Sequence, residues 1–295
     1  VALEPITDSF TLTDLLDNNS IKALDIRSDH KEFKNSHIPA SVNIPYSEFR
    51  GQATNPGKMP QIIALAESLG LRGLEVSDSI AIVHDGITTT DFGAAARVYW
   101  TLKSVGFKNL AILNGGFRGY VKDGFPLTKE LTQVLRTFPL LKFNPEWYAS
   151  TEYVRQAVLG NSDSQLLDAR LDDFYAGKDW HAAARRPGII PSADQFAFET
   201  FFDKNAPLLK HTDELVQIVT EANLNRTDMV HYCNTGHWAA TNWFVLSEIA
   251  KVPNAKLYAE SIVEWSFQNG PMDNVPSTLE FAVLKTKKWF NGFVN

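Results

Sequence analysis

Residues 228–250, DMVHYCNTGHWAATNWFVLSEIA, hold the only cysteine of a 295-residue chain. The apolar and aromatic run that ends at Cys233 reads as a buried β-strand. The stretch from His237 to Ala250 reads as a helix, with Asn234, Thr235 and Gly236 as the turn between them. A strand that feeds a helix through a tight turn is half of a parallel βαβ unit, so this stretch argues for an α/β fold. It also places the one thiol just ahead of a helix N-terminus, where backbone N–H groups and the positive end of the helix dipole favour an anion. Such a setting favours thiolate over thiol. A free cysteine is also commonly a small buried hydrophobe, and local spacing leaves both readings open.

The same pattern recurs along the chain. IKALDIR (21–27), SIAIVHD (79–85) and NLAILNG (109–115) read as strands, and between the last two Phe92, Ala96, Tyr99, Leu102 and Val105 recur at helical spacing before the stop at Gly106. In the second half SQLLDAR (164–170), DMVHYCN (228–234), the helix 237–250 and NAKLYAE (254–260) follow in the same order. Four landmarks set the register: Asp25-Ile26-Arg27 with Asp168-Ala169-Arg170, Pro39 with Pro191, Asp85 with Cys233, and Gly119-Tyr120 with Glu264-Trp265. They keep a nearly constant offset of about 150 residues, which indicates duplication. Residues 125–150 hold three prolines and no clean period. The predicted division is a domain at 1–130, a linker at 131–148 and a second domain at 149–295, each a mostly parallel sheet flanked by helices.

Composition narrows the function. The net charge is −6, from 28 Lys+Arg against 34 Asp+Glu, with no basic run to neutralise a row of phosphates, so nucleic acid is not an expected partner. No apolar run approaches the roughly 20 residues that cross a bilayer, and no signal-peptide pattern is present, so no membrane role is expected. The first residue is Val1 rather than Met, which leaves the compartment open between cytoplasm and periplasm. One cysteine cannot form an intrachain disulfide and is too few for a structural zinc site, so no metal is expected.

The tandem Asp-x-Arg, the Pro-containing turn FKNSHIPASVNIP (33–45), the strand that ends in Cys before a short loop, and LYAESIVEW (257–265) together resemble the two-domain rhodanese sulfurtransferases. The resemblance covers roughly residues 10 to 270 and rests on several motifs in order, the F-x3-HIP run from Phe33 among them. It implies an inactive first domain with Asp85 where the active domain has Cys233, and a catalytic second domain whose Cys233 carries sulfur as a persulfide. It also implies a small anionic donor, thiosulfate or 3-mercaptopyruvate, and an acceptor that is a small thiol, a thioredoxin-like protein or cyanide. No cofactor is expected, and the chain is expected to act as a monomer.

Within that resemblance the backbone amides from Asn234 through Thr235, Gly236 and His237 to Trp238 are expected to hold the terminal sulfur. Arg170 is expected to bind the donor anion through its two-pronged fork, the alternative being an ion pair with Asp168. Arg186 is a second candidate cation. His237 either assists the donor or packs at the helix start, and Trp238 and Trp243 form core or cleft wall. Three features depart from the family pattern: the loop CNTGHW, Phe174 where many relatives carry a base four residues after the Asp-x-Arg arginine, and Ala259-Glu260-Ser261 in place of Asp-Gly-Ser. A cysteine phosphatase would need Arg six residues beyond the cysteine, where Ala239 stands. A sulfur carrier or redox-sensing module without turnover remains the alternative to an enzyme.

Overall fold

A computed structural model describes residues 2–226 and 228–294. Its first half holds β1 (Ile6–Thr7), β2 (Lys22–Asp25), β3 (Ser41–Asn43), β4 (Ser79–Val83) and β5 (Asn109–Leu113), all parallel in the order β1-β5-β4-β2-β3. A parallel sheet is covered on both faces, which is why Ile80–Val83 and Leu110–Leu113 are continuous buried apolar runs without alternation. The second half holds β6 (Gln165–Asp168), β7 (Asp194–Gln195), β8 (Met229–Tyr232) and β9 (Lys256–Leu257), parallel in the order β7-β6-β8-β9. A lone parallel bridge between Tyr148 and Leu257 stands where β1 pairs with β5 in the first half. Both halves therefore repeat one strand order. Residues 131–144 between them contain neither helix nor strand.

The strands begin at the expected residue or one to two residues later and stop two or three residues earlier than expected. Their last residues turn out of the sheet to build the loops at its C-terminal edge. Helix Trp238–Phe244 continues as a π-helical turn, Val245–Ile249. The two- and three-residue strands β1, β3 and β7 are too short to leave a period in the sequence.

Pairing also corrects one alignment. Asp25 lies opposite Val83 and Asp168 opposite Tyr232, so the residue that matches Cys233 is His84, and Asp85 matches Asn234. The loops agree: Phe117 and Arg118 donate their N–H to the carbonyls of His84 and Asp85, as Ile262 and Val263 do to those of Cys233 and Asn234.

One aromatic core joins the halves. Helix Thr89–Ser104 of the first packs on helix Trp238–Phe244 of the second. Phe244 meets Tyr99 edge-on at 5.0 Å and Phe92 at 5.6 Å, and Trp243 and Trp100 are fully buried in the same cluster. At its rim the Glu248 carboxylate accepts from Tyr99 Oη at 3.0 Å and from Lys103 Nζ at 2.8 Å. An interface built like a domain interior makes the halves one folding unit. Phe244→Ala is expected to cost about 3–5 kcal/mol. In urea its tryptophan-fluorescence and far-UV dichroism transitions should shift together; separated transitions would show domains that unfold independently.

Candidate active site

Cys233 follows the last residue of β8 and is 1% exposed. The loop it opens is set by where its carbonyls go. The Cys233 carbonyl accepts from Ile262 N–H at 3.2 Å and that of Asn234 from Val263 N–H at 3.1 Å, both in the first turn of helix Ser261–Phe267. The Thr235 carbonyl accepts from Arg50 Nη2 at 3.0 Å, with Arg97 Nη1 at 3.5 Å, and both arginines belong to the first domain. No peptide bond is cis. In a trans peptide the N–H points opposite to the carbonyl it is joined to. The N–H groups of Asn234, Thr235 and Gly236 therefore point away from these partners. Among the described residues they find no acceptor, and neither does the N–H of His237.

Two local features hold this loop in shape. Gly236 has φ +67°, and a Cβ there would lie 2.4 Å from the carbonyl oxygen of Ala259, so both conformation and space call for glycine. Ser261, itself at φ +53°, accepts the Cys233 N–H on Oγ at 3.0 Å and donates to the Tyr258 carbonyl at 2.8 Å.

A cavity of about 260 Å³ opens on the loop and is lined by Cys233, Asn234, Thr235, His237 and Trp238. The first domain contributes Arg50 and Thr90 to it, and Phe174 and His181 complete the wall. Trp238 stacks on Phe198 at 5.1 Å, meets Phe174 edge-on at 5.5 Å, and donates Nε1–H to Thr90 Oγ1 at 3.3 Å. His181 accepts the Ala183 N–H on Nδ1 at 3.1 Å, and burial, then the charge of Arg50, holds its pKa below the usual value.

His237 is a bridge between the domains. Its Nε2 lies 2.8 Å from the Thr90 carbonyl, which can only accept, so Nε2 carries the proton and Nδ1 accepts from Tyr46 Oη at 2.8 Å. Burial, and next the charge of Arg50, pushes its pKa from 6.5 down to about 4. The ring is neutral, and both of its nitrogens are engaged across the interface. Gly93 makes the approach possible, since a Cβ there would sit 3.0 Å from the His237 ring.

The two arginines expected from sequence lie elsewhere. Arg170 is 0% exposed; its Nε and Nη2 bond Asp168, Nη2 also reaches the Gly188 carbonyl at 2.9 Å, and Nη1 lies 3.4 Å from Asn234 Oδ1. Arg27 makes the same ring with Asp25 and the Ser36 carbonyl in the half that lacks a cysteine. The Asp-x-Arg pair therefore does the same job in both copies: it ties each strand end to the loop beside it. Arg186 is held by the Gly270 carbonyl at 2.7 Å and by Met272 Sδ. Neither arginine lines the cavity. Arg50, which does, carries no pattern that sequence reading could isolate.

The matching loop of the first half is closed by its own carboxylate. The N–H groups of Ile87 and Thr88 both donate to Asp91 Oδ2 at 2.8 Å, whereas the second half has Ala240 at the place of Asp91. The neighbouring His84 is 1% exposed, and burial lowers its pKa to about 4.

His237, His84 and His231, the last lowered by burial to about 3, are neutral in the fold and titrate near 6.5 when unfolded. The unfolded chain then binds more protons below pH 6.5, so the stability present above that pH is lost as pH falls toward 4, by up to about 1.4 kcal/mol per unit for each ring. Ring-nitrogen NMR is expected to show His237 neutral down to pH 5, with thermal stability falling over the same range. Titration of His237 near 6.5 would contradict its bridging role.

A rhodanese-like domain matches residues 11–123 and again residues 150–268. A protein of Synechococcus elongatus is 29% identical over 279 residues, 88% of this chain and 82% of its own. The thiosulfate sulfurtransferase of Gallus gallus is 26% identical over 251 residues, 84% of this chain and 85% of its own. Among solved structures, Escherichia coli SseA, described as a 3-mercaptopyruvate sulfotransferase, superposes with a TM-score of 0.74 at 23% identity over 88% of this chain and 99% of its own. EanB in complex with hercynine superposes with a TM-score of 0.78 at 16% identity, over 91% of this chain and 69% of its own. With both halves matched and one strand order repeated, this chain belongs to the rhodanese sulfurtransferase family, as two such domains in tandem.

Proposed function

We propose that this protein moves a sulfane sulfur from a small anionic donor to a thiol acceptor through a persulfide on Cys233. The observation that carries this reading is the cysteine loop, whose carbonyls at Cys233, Asn234 and Thr235 are bonded outward and whose amides are left for an anion. The Cys233 thiolate attacks the outer sulfur of thiosulfate, the donor S–S bond breaks, and its electron pair leaves on sulfite while Cys–S–S⁻ forms. From 3-mercaptopyruvate the C–S bond breaks instead. The pair then leaves on carbon as the enolate of pyruvate, which takes up the proton that the new persulfide releases. A thiol, a thioredoxin-like protein or cyanide attacks the outer sulfur and returns the thiolate.

The N–H groups of Asn234, Thr235, Gly236 and His237 stabilise the negative sulfur as preorganised donors, the same physics as an oxyanion hole. No step calls for a metal or an organic cofactor. The names of the similar proteins support a sulfur donor of this kind. Ala239, where a phosphatase would need arginine, speaks against phosphate ester chemistry. The cavity that opens on Cys233 offers a small donor a place to bind, which favours turnover over redox sensing.

Intact mass after mixing with thiosulfate or 3-mercaptopyruvate tests the reading. The wild type is expected to gain one sulfur atom, lost again on adding thiol, and Cys233→Ser is expected to fold and gain none. A wild type that takes up no sulfur from either donor, or a Cys233→Ser protein that turns over normally, would refute it.

A further inference from the structure

We propose that Arg50, a residue of the first domain, is the cation that binds the sulfur donor, and that the cavity around it selects a monoanionic donor bearing an organic group over a dianionic one. This rests on the persulfide reading above and adds to it the anion-binding residue and the donor class.

The residue follows from elimination on geometry. Arg170 and Arg186 spend their guanidinium groups on protein partners and stand off the cavity. Arg97 is fully buried behind the Thr235 carbonyl, bonded to the carbonyls of Gly57 and Lys58. Arg50 lines the cavity beside Cys233 and uses only Nη2, on the Thr235 carbonyl and on Thr235 Oγ1 at 2.8 Å. Its Nε is shielded from solvent, whereas Nη1 makes no hydrogen bond among the described residues and is not shielded. The guanidinium thus keeps a donor for an anion in the cavity it lines. Arg50 also packs over the Tyr46 ring at 4.9 Å, which fixes its side chain from behind.

The donor class follows from a count of charge. Among the described residues Arg50 is the one permanently charged cation on the wall, His181 and His237 being neutral imidazoles with burial against their charged forms. Beside a Cys233 thiolate a monoanion leaves one negative charge in excess of Arg50 and a dianion leaves two, so the dianion is the costlier guest of a small, partly desolvated site. The approach reinforces this, because the groove that adjoins the cavity at Phe174 carries Asp172, Asp173, Asp179 and Glu199. The same wall carries the aromatic pair Phe174 and Trp238, which accepts an organic substituent but offers little to a further sulfonate oxygen.

For a thiosulfonate the step is R–SO2–S⁻ plus Cys–S⁻ giving R–SO2⁻ plus Cys–S–S⁻. The donor S–S bond breaks with its pair on the sulfinate, a new S–S bond forms at Cys233, and no proton or outside oxidant enters. Mercaptopyruvate, also a monoanion on an organic frame, belongs to the same class.

The test compares benzenethiosulfonate, methanethiosulfonate and thiosulfate as donors, and separately the alkylation of Cys233 by iodoacetate and by neutral iodoacetamide. Wild type is expected to favour benzenethiosulfonate over thiosulfate by about tenfold or more in kcat/KM. Arg50→Gln is expected to lose about tenfold to a hundredfold with the thiosulfonates, and to slow alkylation by iodoacetate by a clearly larger factor than alkylation by iodoacetamide. Arg50→Lys should keep part of the selectivity for iodoacetate. Phe174→Arg, which adds a second cation to the wall, should raise kcat/KM for thiosulfate relative to the thiosulfonates; this arm holds even if Arg50→Gln fails to fold. Equal loss with iodoacetate and iodoacetamide, or no loss with either, would make Arg50 a loop support only and overturn its role. Preference of wild type for thiosulfate would overturn the donor class. Arg50-dependent iodoacetate alkylation without sulfur uptake from any donor would uphold the anion site and remove the persulfide reading instead.

Discussion

Three backbone carbonyls set the shape of the cysteine loop. Those of Cys233, Asn234 and Thr235 are drawn outward by two helix amides and a pair of guanidinium groups, and peptide planarity turns the following N–H groups the other way. An isolated loop of this length would spend its amides on its own carbonyls or on water. Here three of the loop's carbonyls are already taken, and its N–H groups are left without an acceptor among the described residues. Preorganisation of this kind is what gives fixed dipoles their leverage in a low-dielectric site.

The partners of these carbonyls come from both domains. Ile262 and Val263 come from the second domain, and the first domain has the same pair in Phe117 and Arg118. The third carbonyl differs, because Arg50 and Arg97 reach it from across the interface, while Tyr46 and Thr90 hold His237 at the end of the loop. The first domain keeps the fold and has His84 at the position of Cys233. Two of its loop amides, those of Ile87 and Thr88, are occupied by Asp91, a covalently attached anion where the second domain has Ala240. The duplicate thus shows two of the matching backbone donors filled, and its own residues Arg50 and Thr90 line the cavity beside Cys233.

Much of this was legible in the sequence. The strand, turn and helix around Cys233, the duplication and the parallel sheets follow from periodicity and repeated landmarks, because buried parallel strands and amphipathic helices leave a local record. The site was half legible. Cys233 and its loop amides lie on one continuous stretch, whereas Arg50, Tyr46, Thr90 and His181 come together only through packing between the two halves. Arg170 was an attractive substrate ligand because β6 ends beside β8, yet its guanidinium curls back to Asp168 two residues earlier. A signal against it was present, since Asp25 and Arg27 repeat the motif in the half without a cysteine. The match of Asp85 to Cys233 missed by one residue for a related reason: a strand end is fixed by pairing across the sheet, which a one-dimensional offset does not contain.

The claim on which the rest depends is that the loop amides hold the sulfur carried by Cys233. A crystal structure of the protein after reaction with a sulfane donor tests it most directly. The terminal sulfur is expected within hydrogen-bond distance of the N–H groups of Thr235, Gly236 and His237, with the carbonyls still bonded to Ile262, Val263 and Arg50. A terminal sulfur turned away from these amides, or a loop whose carbonyls had swung in toward it, would contradict the claim.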